Sequence, residues 1–178
     1  MSSSGLAIRK EILVAASQER AFQVFTAGID RWWPRHHHIG SSPMKRTAIE
    51  PRVGGRWYAE CQDGTECDTG KVLLWDPPRR LLLAWQLTAQ WKFDPDFVTE
   101  VEVTFTAQGS RQTLVVLEHR NLERFGGDAP ALQKAIDAPD GWAGILALFA
   151  AVAAVAAVEE GGEKSGEPGG ASSPSPGG

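Results

Sequence analysis

Only two cysteines, Cys61 and Cys67, occur in 178 residues. They cannot build a disulfide framework, and they point to a reducing compartment in which both are free thiols flanking the Asp63-Gly64 turn. Excess positive charge is also missing: the formal charge is −4, and the C-terminal stretch 159–178 carries four Glu against one Lys, leaving a nearly neutral body. A body without a basic stripe releases few counterions from a phosphate backbone, so neither nucleic acid nor an anionic membrane is an expected partner. The N-terminus lacks a basic segment followed by an apolar one, so no export signal is read and cytoplasm is expected. Nucleophile-elbow, zincin, dinucleotide-binding and phosphate-loop motifs are absent, so no cofactor, no metal and no evident catalysis are expected.

Tryptophan is abundant instead: seven Trp against one Tyr. So much indole implies a heavily aromatic core or an aromatic-lined cavity. Hydrophobic residues at 42% and charged residues at 22% fit one folded domain.

Residues 6–15 alternate and are rich in β-branched side chains, which predicts a strand; Ser17 then reads as an N-cap for a helix carrying Phe22, Phe25 and Ile29 and ending at Pro34. From 43 to 121 short runs are punctuated by Gly54-Gly55, Asp63-Gly64, Asp76-Pro77-Pro78 and Gln108-Gly109-Ser110, the pattern of an antiparallel meander. Parity puts Leu81, Leu83, Trp85, Leu87 and Trp91 on one face, with Val101, Val103, Phe105, Val115, Leu117 and His119 on the same side of the sheet. Gln86, Thr88, Glu100, Glu102, Thr104 and Glu118 then face water. A short helix is expected near 132–136, and Asp140 as cap of an apolar helix carrying Trp142, Leu146 and Phe149 to about Val158. That helix is short for a bilayer span and lacks basic anchors, so a core helix is the expectation. Residues 159–178, with seven Gly, four Ser and three Pro, read as a disordered tail, and residues 1–5 as a flexible start.

Strand, helix, six-stranded meander and long C-terminal helix is the order of the α+β helix-grip fold. Specific residues carry a closer likeness: Ala15-Ala16-Ser17 with Glu19 to Phe22, Trp32-Trp33-Pro34, Gly54 to Tyr58, Gly70-Lys71-Val72, Asp76 to Leu81, Leu117-Glu118-His119 and Gly141-Trp142. Over residues 8–158 the sequence resembles the activator of heat-shock-protein-90 ATPase homologue-like family of the START-like (SRPBCC) superfamily. The resemblance implies a curved sheet wrapped around the last helix and an apolar cavity between them. Relatives use that cavity for lipids, hormones or polyketide cyclisation, or dock chaperones. The sequence shows one such domain, without the further N-terminal domain of the family's co-chaperones, so a small apolar or amphipathic ligand is expected ahead of a chaperone or other protein partner.

The expected cavity lining is Trp85, Leu87, Trp91, Val101, Val103, Phe105, Val115, Leu117, His119, Trp142, Leu146 and Phe149, with Arg56 and Tyr58 as possible polar anchors. His119 is the one ionisable group in the inward set and would be the acid-base of a polyketide-cyclase-like enzyme. His36-His37-His38 lacks a spaced fourth ligand and reads as a solvated loop near the cavity mouth rather than a zinc site. A protein-docking module would instead show surface tryptophans such as Trp32 and Trp33.

Overall fold

The computed structural model of the chain describes residues 6–165, with side chains through residue 158. The expected flexible start and the part of the expected tail beyond residue 165 lie outside the described residues. Strand β1 (Ala7–Val14) is followed by α1 (Gln18–Thr26), α2 (Ile29–Trp32), β2 (Met44–Ile49), β3 (Arg56–Cys61), β4 (Glu66–Asp76), β5 (Arg80–Trp85), β6 (Thr99–Ala107) and β7 (Thr113–Arg120). A 3-10 segment (Leu122–Asp128), α3 (Ala129–Asp137) and α4 (Trp142–Ser165) complete it. The strands form one antiparallel sheet in the order β1-β7-β6-β5-β4-β3-β2. Each hairpin pairs neighbours in sequence, and β1 closes the far edge against β7, with Ile8 opposite His119. Register shifts in β2–β3, β3–β4 and β4–β5 are bulges that bend the sheet, and the curled half-barrel with its long C-terminal helix is the helix-grip fold.

Ser17 caps α1 as expected, its Oγ accepting from Arg20 N at 3.2 Å. The helix does not run unbroken to Trp33. It stops at Thr26, turns through Ala27-Gly28 and resumes as α2, and Trp32 Nε1 donates to Val24 O at 2.8 Å to hold the two pieces together. At the start of α4, Gly141 rather than Asp140 supplies the first carbonyl, which accepts from Ile145 N at 3.0 Å. The helix also continues past Val158 to Ser165.

β6 and β7 alternate cleanly between buried and half-exposed positions. Their outer face is a charge lattice in which Glu100 and Glu102 pair with Arg120 and Arg80. The inner face meets α1 and α4 in an aromatic cluster: Phe105 lies 5.7 Å from Phe25, and Phe149 lies 5.1 Å from Phe25 and 5.4 Å from Trp32, all edge-on or tilted. By length and composition α4 could cross a bilayer, but Trp142, Ile145, Leu146, Phe149, Ala153 and Ala156 are buried, and α4 packs on α1, α2, α3 and β1. It is the gripped helix.

Candidate functional site

The inner surface divides in two along α4. About two turns into the helix, Phe149 meets Phe25 and Trp32 and the space is filled. At its first turn the sheet and helix diverge, leaving a cavity of about 400 Å³ that opens to solvent on one side, a size suited to a small organic ligand.

Four indoles build its walls. Trp85 ends β5 and Trp142 begins α4, their rings 5.8 Å apart at 67°. Trp33, just after α2, stands 6.0 Å from Trp142. Trp91 closes the rim 6.4 Å from Trp85. Trp57 lies behind, 5.6 Å from Trp33 and 5.7 Å from Trp85, and is 2% exposed. Edge-to-face packing of rigid bicyclic rings cannot fill a corner as aliphatic side chains do. Leu87, Ile39, Ile136, Ile145, Ala59 and Ala135 complete the apolar lining, with His36, His37, His38, Cys67, Thr69 and Asp140 as its polar members.

Of the residues expected from sequence, Trp85, Leu87, Trp91 and Trp142 therefore come together at the cavity. Val101, Val103, Phe105, Val115, Leu117, Leu146 and Phe149 do not line it; each is at most 2% exposed in the filled half of the core. Trp91 reaches the cavity by a different route from strand parity. β5 ends at Trp85, and Trp91 sits in a turn closed by its own N–H on Thr88 O, with a left-handed φ of 60°. A bulky side chain held in that region is strained, and it projects against Trp85. Gln86, expected outside, is 3% exposed: its backbone N–H bonds Thr69 O and its Nε2 bonds Pro95 O, because the chain leaves the sheet there.

Arg56 and Tyr58 are not cavity anchors. Trp57, Ala59 and Cys61 point inward from β3, so positions 56, 58 and 60 point out. There Arg56 pairs with Asp68 and Glu66 and stacks on the Tyr58 ring at 4.2 Å, while Arg46 covers the ring from another side.

His119 also fails to reach the cavity. It is fully buried behind Trp85 and Trp142. Its Nδ1 accepts from Trp142 Nε1 at 3.1 Å, and its Nε2 meets Thr99 Oγ1 at 2.8 Å. Burial pushes its pKa down to about 3, so the ring is a neutral support for the two indoles and has no free nitrogen with which to act as acid or base.

The histidine loop is what sequence reasoning placed only near the mouth. It lines the cavity, and it is pinned: Trp33 Nε1 donates to His37 O at 2.8 Å, His37 N donates to Pro34 O at 3.1 Å, and Gly40 N donates to His38 Nδ1 at 3.1 Å. Gly40 packs so tightly on β3 that a Cβ there would overlap Cys61 Sγ. Burial and the neighbouring His36 hold the His37 pKa below its usual value, with Asp140 opposing them. Burial raises the Cys67 pKa and keeps it a thiol, and Cys61 and Cys67 are both free. No group of metal-ligating side chains occurs among the described residues. Trp32 and Trp33, at 3% and 8% exposure, are not the surface indoles a protein-docking module would show; among the described side chains the large exposed apolar ones of the helix are Leu148, Val155 and Val158.

A curled sheet gripping a helix over an indole-walled cavity defines a START-like helix-grip fold. Residues 15–154 match the family described as activator of Hsp90 ATPase homolog 1-like protein, and the chain belongs to that family. Among solved structures, it is 42% identical to an anthrahydroquino-gamma-pyrone synthase, Txn09, over 82% of this chain and 96% of that one, with a TM-score of 0.60. It is 30% identical to CalC, a self-sacrificing resistance protein from Micromonospora echinospora, over 83% of this chain and 93% of that one, with a TM-score of 0.62. A Nitrosomonas europaea protein, 14% identical over 90% of this chain and 97% of that one with a TM-score of 0.57, shares the fold alone. No protein of curated function matches the chain. Family and fold support a ligand-binding or polyketide-cyclase-like role.

Proposed function

We propose that the chain binds a planar polycyclic aromatic molecule of polyketide type between Trp85, Trp142, Trp33 and Trp91. The observation that carries this is the cavity of about 400 Å³ walled by four indoles. Flat aromatic surface is what such walls can cover on several sides at once, and each buried Å² of it contributes roughly 25 cal/mol. Likeness to a synthase of an anthrahydroquinone-fused pyrone agrees with that shape. The test is quenching of intrinsic tryptophan fluorescence by 1,8-dihydroxyanthraquinone. Saturable quenching that weakens strongly in Trp85→Phe and Trp142→Phe supports the reading, and a flat response from folded protein refutes it.

A second reading is favoured by the synthase relative and by the imidazoles at the cavity. In it the chain closes an oxygen ring on such a ligand: a phenol oxygen bonds to a side-chain ketone carbon while its proton passes through a neutral imidazole to the ketone oxygen, and that hydroxyl then leaves with a second proton as water while the CH2 between the two carbonyls gives up one proton to form the ring double bond. Incubation with a phenol bearing an ortho 1,3-diketone side chain, followed by chromatography for the pyrone, tests it. No rate above buffer would exclude this turnover while leaving binding intact.

A further inference from the structure

The walls of the cavity cannot tell one flat molecule from another. Trp33, Trp85, Trp142, Leu87 and Ile145 present hydrocarbon and ring faces, and apolar pockets discriminate weakly between ligands of one shape, whereas a pocket built to hydrogen-bond a substituent rejects the analogue without it. Selectivity therefore rests on the few polar groups, half of which the 36–40 loop supplies.

His38 is fixed in one tautomer. The Gly40 N–H that reaches its Nδ1 can only donate, so Nδ1 carries no proton and the neutral ring carries it on Nε2. No hydrogen bond among the described residues engages that Nε2, and the ring lines the cavity. His37, beside it, is kept neutral near pH 7 by burial and by His36, against the opposing charge of Asp140, and a neutral ring has one acceptor nitrogen. The loop that carries both is held by Trp33 Nε1 on His37 O and by the contact of Gly40 with Cys61, so its backbone need not be ordered on binding. The remaining polar lining offers less: His36 is exposed, the Cys67 thiol is a weak partner and the Thr69 hydroxyl, which rotates to donate or accept, selects neither kind of oxygen, and Asp140 as a carboxylate would accept from a hydroxyl but repel a carbonyl oxygen.

We infer that His38 and His37 are the specificity-determining residues of this cavity, His38 donating from Nε2 to a carbonyl oxygen of a planar aromatic ligand and His37 accepting from its phenolic hydroxyl. The inference rests on the cavity being the ligand site. It assigns the ligand class as hydroxylated aromatic ketones or quinones, as distinct from bare polycyclic hydrocarbons.

The experiment compares 1,8-dihydroxyanthraquinone with anthracene, which keeps the three fused rings and lacks the oxygens, by fluorescence titration of the full chain and of His38→Ala, His38→Gln and His37→Ala, each shown to be folded by thermal melting. His38→Ala and His37→Ala should each weaken the dihydroxyanthraquinone about five- to tenfold, the loss of one hydrogen bond. Anthracene should change less than about twofold in the same variants, since no hydrogen bond to it is lost. His38→Gln, whose side-chain amide donates from a similar reach, should recover most of the loss. Equal weakening of both probes, or no change for the quinone, would overturn the inference and leave the cavity reading standing. Failure of the unsubstituted protein to bind either probe would overturn the cavity reading itself.

Discussion

Trp142 donates its indole N–H to Nδ1 of His119 at 3.1 Å, joining the first turn of α4 to the last inward position of β7. The indole can only donate, so His119 holds its proton on Nε2 and passes it toward Thr99 Oγ1, whose own hydroxyl points to Trp85 O at 3.4 Å. The Trp142 indole and the Trp85 backbone are thereby tied to one buried imidazole, against which the Trp85 ring packs at 5.2 Å.

Burial of this imidazole makes stability sensitive to acid. The folded His119 pKa is depressed to about 3 from 6.5, so the unfolded chain takes up the proton first as pH falls. Stability from this group is present above about pH 6.5 and is lost progressively toward pH 3. Between pH 7.5 and pH 5 the loss is about 2 kcal/mol. Chemical denaturation across that range should show the decline, and His119→Gln, though less stable at pH 7.5, should show a flatter profile. An unchanged slope in the variant would assign the acid sensitivity to other groups.

Phe149 separates the filled half of the interior from the cavity. It is fully buried against Phe25 and Trp32 and does not line the open space. Phe149→Ala should cost about 3–5 kcal/mol of stability and leave the affinity of the folded fraction for an anthraquinone unchanged. A large affinity loss at full folding would place the ligand deeper along α4.

Much of this was legible in alternation, and the boundary between core and cavity was not. Val101, Val103 and Phe105 on β6, and Val115, Leu117 and His119 on β7, all face inward, because a period of two is fixed by the pleat. Which half of that face is filled depends on where α4 and α1 converge, a long-range fact that no local pattern encodes. Extending parity beyond Trp85 failed for Gln86 because the strand stops, and it reached Trp91 only through a left-handed turn. The histidine loop has no period at all; its place follows from Trp33 Nε1 and from Gly40 lying on Cys61. The one clue at that position was a glycine, whose need for close approach is invisible without the partner strand.

Gly40→Ala tests that clue. The added methyl would meet Cys61 Sγ and lift the loop, so anthraquinone affinity should fall by about tenfold or more, on the order of 1.4 kcal/mol. Unaltered affinity would mean that the loop does not contribute to binding.

Arg56→Ala provides the contrast. The side chain is half-exposed on the outer face, paired with Glu66 and Asp68, and such pairs contribute roughly 0.2–1 kcal/mol. Denaturation should register a loss of about that size, and fluorescence titration should register none in ligand affinity. A clear affinity loss would restore Arg56 as an anchor.

The seven indole N–H signals of a 15N-labelled sample test the central claim most directly, since each Trp reports separately. Adding 1,8-dihydroxyanthraquinone should shift the Nε1 resonances of Trp33, Trp85, Trp91 and Trp142, which line the cavity, and leave Trp75 in place. Trp75 lies instead in a second, more open groove between α1 and the Pro77-Pro78 turn. Shifts confined to Trp75, with the four cavity indoles unmoved, would contradict the account.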